Sequence, residues 1–236
     1  MRYKILALLL SISTITAATL PKSISATLSS VEGYVATVEK RELIPGMSGI
    51  VIHKYDENHE AIVATAKVLN LKGSQATLQL YKFDAISNSK LPNIKTKPQV
   101  GDRVVLGNLY KRVLPIVPNI ETYEKVKNSL QDIMLIHPDI FAAELTKEKE
   151  PLPKVENFRN ICKKMSIGLV LFVFRDGSDL VDCASWQKVY HLDLSSVNKD
   201  LVTPFYHRIG EIPSPIYDWS DHALKDFDSY YKGLEN

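Results

Sequence analysis

The amino-acid sequence predicts an α+β / α/β chain: a small N-terminal β-barrel-like module followed by a three-layer α/β (Rossmann-like) domain with a mixed sheet and a C-terminal helix. Three observations carry that expectation. Before about residue 114 the chain is a series of short segments of alternating polarity, separated by turn residues. Near Leu114 the apolar spacing changes to that of helices. Residues 167–174 (IGLVLFVF) are continuously apolar, as a strand covered on both faces must be. The 236 residues are 45% hydrophobic and 24% charged, enough for one large or two small cores, and this excludes collagen-like, low-complexity and wholly disordered readings.

Residues 1–18 (MRYKILALLLSISTITAA) have the pattern of a secretory signal peptide. Arg2 and Lys4 form a positive start, residues 5–12 an apolar run, and Thr16, Ala17 and Ala18 a small-residue end, with cleavage expected after Ala18. A membrane span needs roughly 20 apolar residues, and neither this run nor any later one reaches that. The mature chain is therefore expected to be exported, without an integral membrane span. Residues 19–30 (TLPKSISATLSS) read as a short flexible leader.

The β-rich module is expected over 31–114. Its candidate strands are 32–39, 48–55 after a Pro45-Gly46 turn, 61–69, 75–83 after Gly73-Ser74, and the stretch following Gly101-Asp102. In residues 76–83 (ATLQLYKF), Leu78 and Leu80 alternate with polar partners, as in a half-buried strand. Several short strands at close spacing indicate a small barrel or sandwich.

The α/β domain is expected over 115–236. Asn119 is a helix N-cap, with Tyr123, Val126, Leu130, Ile133 and Met134 at helical spacing behind it. Pro138 opens a second helix running to about Leu145. A third places Phe158, Ile161, Cys162 and Met165 on one face and Arg159, Lys163 and Lys164 on the other. Asp176-Gly177 is a hairpin turn. Residues 203–236 hold Phe205, Tyr206, Tyr217, Trp219, Phe227, Tyr230 and Tyr231, too many aromatics for a disordered tail. A final helix, capped by Ser220 and ended by Gly233, is expected to dock back on its own domain.

The formal charge of +2 comes from Arg2 and Lys4, so the chain after residue 18 is neutral. Residues 31–118 are net +4 and residues 119–236 net −5. Neither half has the charge of a nucleic-acid-binding surface.

No phosphate-binding glycine loop, metalloprotease helix or nucleophile elbow is present. Gly46-Met47-Ser48-Gly49 has the wrong spacing for an elbow and reads as a turn between strands. The six histidines, His53, His59, His137, His191, His207 and His222, show no metal-ligand spacing. His137-Pro138-Asp139 reads as a helix start. Asp176, Asp179 and Asp182 read as a solvated hairpin tip rather than a calcium loop. No catalytic, cofactor-binding or metal residues are therefore expected, and no enzyme. Cys162 and Cys183 fall in the same half; a disulfide between them and a pair of buried free thiols are both open.

Four stretches carry a resemblance to a known family: GYVATVEKRELIPGMSGIVIH, KFDAISNSKLPNIKTKPQVGDRVVLGNLYKRVLPIVPNIETYEKV, HPDIFAAEL and the segment around VDCASW. Together they span roughly Val31 to Tyr206, and there the chain resembles the N-terminal domain of the plasminogen-binding protein A family of Gram-negative envelope proteins. The resemblance implies a non-enzymatic protein of the periplasm or cell surface, binding a protein partner, with plasminogen proposed for some members. It brings no catalytic residues. Plasminogen's kringles take up lysine side chains, best where ammonium and carboxylate are presented together. Lys225 and Lys232 are the lysines near the end of this sequence, neither terminal, and are the candidates for kringle binding. The two-part architecture also looks like periplasmic flagellar accessory proteins, which implies an alternative: a structural component of a flagellar motor or an outer-membrane assembly.

Overall fold

The computed structural model describes residues 20–40, 42–83, 94–214 and 224–235. The expected signal segment, Tyr217, Trp219 and the expected cap Ser220 lie outside the described residues.

Six strands form the first half: β1 (Ile24–Glu32), β2 (Val35–Glu39), β3 (Ser48–Lys54), β4 (Glu60–Lys72), β5 (Gln75–Lys82) and β6 (Arg103–Leu106). They close into a barrel in the order β1-β2-β5-β4-β3-β6, every neighbouring pair antiparallel. The period-2 alternation is the cause. Ala36 and Val38, Val51, Ala64, Ala66 and Val68, Ala76, Leu78 and Leu80, and Val104 and Leu106 all point inward and are buried. A six-stranded interior is narrow, so small side chains fill much of it. Residues 24–30, expected to be leader, are instead barrel wall. Ile24, Ala26 and Leu28 alternate with Ser25 and Thr27 and pack on the barrel core, a register shift between Leu28 and Ser30 breaks the alternation, and the strand pairs with β2 on one side and β6 on the other.

The second half is a mixed sheet in the order β11-β10-β9-β7-β8. Its strands are β7 (Arg112–Ile116), β8 (Met134–Leu135), β9 (Leu169–Phe174), β10 (Gly177–Asp182) and β11 (Lys188–Leu192). The expected boundary at 114/115 falls inside β7; the chain leaves the barrel between β6 and β7. Strand β7 runs parallel to β8 and β9, whereas β9, β10 and β11 form an antiparallel meander. The Rossmann-like part of the expectation goes beyond this sheet, because a two-residue turn, Arg175-Asp176 rather than the expected Asp176-Gly177, joins β9 to β10 directly where a doubly wound fold would need a helical crossover.

Helices α1 (Ile120–Ser129), α2 (Pro138–Glu148), α3 (Val155–Met165) and α4 (Phe227–Lys232) cover the sheet. Asn119 caps α1, its Oδ1 accepting from the Thr122 amide at 2.9 Å and the Thr122 hydroxyl at 2.6 Å. Helix α1 ends at Ser129, before the expected Ile133 and Met134; Asp132 takes a positive φ and the Met134 amide donates to the Lys111 carbonyl, turning the chain into β8. His137 caps α2 through Nδ1, which accepts from the Asp139 amide. Burial holds the His137 imidazole below its ordinary pKa against the opposing Asp139 charge, which favours the neutral, accepting form.

The two faces of the sheet have different neighbours. Val113, Leu169, Leu171, Val173 and Leu180 join Tyr123, Val126 and Leu130 of α1 and the barrel interior in one continuous core. Leu114, Ile116, Val170, Phe172, Phe174 and Val181 face α2, α3 and α4. Every residue of β9 and β10 is buried, which is why residues 167–174 read as unbroken apolar sequence.

The C-terminal segment docks on the second core. Tyr231 is fully buried against Phe172 and Phe227, and its hydroxyl donates to the Pro204 carbonyl. The Trp186 indole N–H donates to the Leu234 carbonyl at 2.7 Å. The cap of α4 is Asp226. No helix among the described residues is long and apolar enough to cross a membrane.

Candidate binding surface

The polar residues singled out in the sequence separate into three places. The first is the seam between barrel and sheet. Asp182 is fully buried and its carboxylate accepts five hydrogen bonds. Oδ2 takes the Ser48 amide (3.0 Å), the Ser48 hydroxyl (2.7 Å) and the Tyr110 hydroxyl (2.9 Å). Oδ1 takes the amides of Ala184 (2.9 Å) and Ser185 (2.8 Å). Ser48 is thus a docking residue at the start of β3; the turn expected over residues 46–49 ends before it, and Ser48 and Gly49 belong to the strand. Two glycines beside it have no room for a side chain: a Cβ on Gly49 would run into the Val105 carbonyl oxygen, and one on Gly46, at φ +89°, would lie 2.8 Å from the Gln187 Cβ. Burial and the Asp182 charge push the Tyr110 phenol far above its ordinary pKa, keeping it a donor. Such a fully satisfied carboxylate is a structural rivet.

The second place lies where the end of β3 meets the start of β6. Asp102, buried, accepts from the His53 ring at 2.7 Å and from the Gln99 amide at 2.8 Å, and His53 meets the edge of Tyr55. Sequence reasoning passed over this pair because 49 residues separate its members.

The third is the surface around α4, where Lys225 and Lys232 lie. Lys225 is exposed on the rim of a groove of about 360 Å³ lined by Leu152, Leu224, Asp226, Ser229 and Tyr230. Lys232 faces the other way. Its ammonium sits 2.7 and 2.9 Å from the two Asp176 oxygens and 5.0 Å from the centre of the Phe174 ring. Hydrogen bonding to Asp176 raises the Lys232 pKa and lowers that of Asp176. Arg175 fixes the start of α4, donating to Asp226 at 2.8 Å and Asp228 at 2.9 Å.

Beside Lys232 opens a cleft of about 490 Å³ lined by Phe174, Asp176, Asp179, Lys188, His191, Lys232 and Glu235. The solvated-tip reading of Asp176, Asp179 and Asp182 therefore holds for Asp176 alone. Asp179 is 5% exposed and accepts from His191 at 2.6 Å and Lys188 at 3.3 Å. Among the described residues no group of three or more His, Cys, Asp or Glu is arranged to hold a metal ion.

Cys162 of α3 and Cys183, which follows β10, are joined as a disulfide with 5.9 Å between Cα atoms. It ties α3 to the strand end that carries Asp182.

Comparison with known proteins addresses the whole chain. The pattern of the family described as plasminogen-binding protein pgbA N-terminal matches residues 23–234. The plasminogen-binding protein PgbA of Helicobacter pylori strain J99 is 26% identical over 197 residues, which is 82% of this chain and 43% of that protein. The same protein of strain 26695 is 25% identical over 197 residues, 82% of this chain and 42% of that one. The chain thus spans less than half the length of these curated relatives. The matched stretch starts one residue before β1 and ends two residues after α4, enclosing barrel, sheet and docked C-terminal segment. The chain belongs to the plasminogen-binding protein pgbA N-terminal family.

Proposed function

We propose that this chain is an exported, non-enzymatic envelope protein that binds a host protein, plasminogen, through an exposed lysine. The observation that carries the reading is the family match across barrel and sheet together with the name of the two relatives. The signal-like residues 1–18 and the Cys162–Cys183 bridge support an oxidising location outside the cytoplasm.

The two candidate lysines are unequal. A kringle must surround the ammonium it captures. Lys232 already gives its ammonium to Asp176, so capture there would first break two short charge-assisted hydrogen bonds. Lys225 stands exposed beside the Asp226 carboxylate on an apolar rim formed by Leu224 and Tyr230. It is the better bait.

The test is surface plasmon resonance of the chain against immobilised plasminogen, with and without 6-aminohexanoate. Binding that the lysine analogue abolishes, and that Lys225→Ala weakens at least tenfold while Lys232→Ala changes it little, supports the reading. No analogue-sensitive binding at micromolar protein overturns it.

A further inference from the structure

Strands β7 and β8 are parallel neighbours whose outgoing connections part. Strand β7 leads to α1, whose Tyr123, Val126 and Leu130 pack on one face of the sheet. Strand β8 leads to α2, whose Phe141, Ala142 and Leu145 pack on the other. Where adjacent parallel strands send their helices to opposite faces, a crevice opens beyond their carboxyl ends, and ligands of α/β sheets bind in such crevices. The segment after β11 comes to this end of the sheet. The Val202 amide donates to the Pro118 carbonyl and the Tyr206 amide to the Val117 carbonyl, just beyond β7.

Three rings gather there: Tyr123 from the start of α1, the α2 cap His137, and Tyr206. The Tyr123 and His137 ring centres are 4.9 Å apart, those of Tyr123 and Tyr206 5.5 Å, and those of His137 and Tyr206 6.2 Å. Tyr123 is 8% exposed and Tyr206 6%, yet among the described residues neither hydroxyl has a hydrogen-bond partner. Tyr110 and Tyr231, as deeply buried, both donate to protein oxygens. Nor are the two free hydroxyls sealed off. Glu235 Oε1 is the one fully buried side-chain polar atom among the described residues that lacks a partner, so both phenol oxygens reach the surface. The other free groups are donors. His137 Nδ1 accepts the Asp139 amide at 3.2 Å, which leaves the ring proton on Nε2. Arg208 gives its amide, Nε and Nη2 to Asp139 and keeps Nη1. Its positive charge acts on His137 and on both phenols. Burial, then the charges of Glu124 and Tyr206, hold the Tyr123 phenol above its ordinary pKa, so it keeps its proton.

We infer that this crevice is a binding site for an oxyanion, a carboxylate or phosphate group, held by the Tyr123 and Tyr206 hydroxyls, His137 Nε2 and Arg208. The imidazole N–H and the guanidinium can only donate, and both hydroxyls are free to donate, so the set calls for a ligand that only accepts. The carboxylates that a cation would seek are already matched, Asp139 by Arg208 and Glu124 by Lys127. Helices α1 and α2 both begin here, and the positive ends of their dipoles favour negative charge. The site uses neither Lys225 nor Lys232, and its test uses no plasminogen.

The experiment is isothermal titration calorimetry of the whole chain at neutral pH with sodium phosphate, sodium acetate and, at matched ionic strength, sodium chloride. The expected result is saturable binding of at least one oxyanion that chloride does not reproduce. Phosphate alone assigns a phosphate-bearing ligand, acetate alone a carboxylate, and both an oxyanion site without preference. Tyr123→Phe/Tyr206→Phe removes two oxygens that hold nothing else among the described residues. It should therefore keep the wild-type melting temperature and bind at least tenfold more weakly. Should that variant lose its native circular dichroism, His137→Asn decides in its place: it keeps a capping side chain for α2, removes the Nε2 donor and should weaken binding by a similar factor. No saturable heat at tens of millimolar oxyanion overturns the proposal. So does chloride binding as well as the oxyanions, or an affinity unchanged in the folded variant.

Discussion

Removing the Asp182 carboxylate should cost far more than its place on a short turn-flanked strand suggests. In Asp182→Ala, five donors lose their acceptor. The Ala184 and Ser185 amides lie at an exposed turn and can bond water instead. The Ser48 amide, the Ser48 hydroxyl and the Tyr110 hydroxyl face the seam. A stranded buried donor costs about 1–3 kcal/mol, and the two Ser48 groups move together, so the loss should be about 4 kcal/mol. For a chain of this size that corresponds to a fall in Tm of about 8–16 °C. The assay is a urea and thermal melt followed by circular dichroism, combined with a double-mutant cycle. Tyr110→Phe alone should cost about 1 kcal/mol, and almost nothing once Asp182 is Ala, because its partner has gone. If Asp182→Ala costs under about 1 kcal/mol, or Tyr110→Phe costs the same in both backgrounds, the carboxylate does not rivet barrel to sheet.

Three further outcomes can be checked. Thiol labelling of the denatured, unreduced chain should find no reactive thiol, two reactive thiols would refute the bridge, and Cys162→Ser/Cys183→Ser should lose about 3 kcal/mol for a loop whose ends are 21 residues apart. The Glu235 carboxyl is raised on folding from 4.5 to about 8, so the stability it contributes to the docked C-terminal segment is fully present below about 4.5 and lost as pH rises through about 8. Trp186 fluorescence should report that loosening, through the indole bond to the Leu234 carbonyl, and Glu235→Gln should flatten it; a flat wild-type profile would sink the assignment. Gly49→Ala should destabilise the barrel by about 1–3 kcal/mol, since its Cβ meets the Val105 backbone rather than a side chain that can swing away, and an unchanged melt would show that the strands separate more easily than their packing implies.

What the sequence revealed depended on whether the cause was local. The alternation in β5 and the unbroken apolar run in β9 are each explained by the faces those residues present, so both were readable. So were Asn119 and His137, whose cap bonds reach only two or three residues along the chain. Strand β1 was not. Its alternation of Ile24, Ala26 and Leu28 is short and is broken by a register shift after Leu28, and its place in the wall is set by partners from residue 103 onward. Charged residues were misplaced for a related reason. Asp179 and Asp182 read as solvent-facing because a carboxylate is buried only when donors come to it, and the Ser48 donors of Asp182 arrive from 134 residues away. The cleft was invisible as well: it is assembled from the β9–β10 turn, three strands and the C-terminal segment, none of which carries a motif. Lys225 and Lys232 were paired by their closeness in sequence, yet the helix between them turns one towards solvent and the other onto Asp176.

The way the barrel closes also sets the order in which it can form. The β3–β4 and β4–β5 pairings join neighbours in sequence and need only short loops. The last seam joins β1 to β6, with Ser23 donating to the Leu106 carbonyl across 83 residues. Distant pairings are slow because the intervening chain must first be gathered in. The first strand made is thus the last to be enclosed on both sides. Until residue 106 is in place it carries an open edge, the state in which a folding chain is most exposed to pairing with another copy of itself.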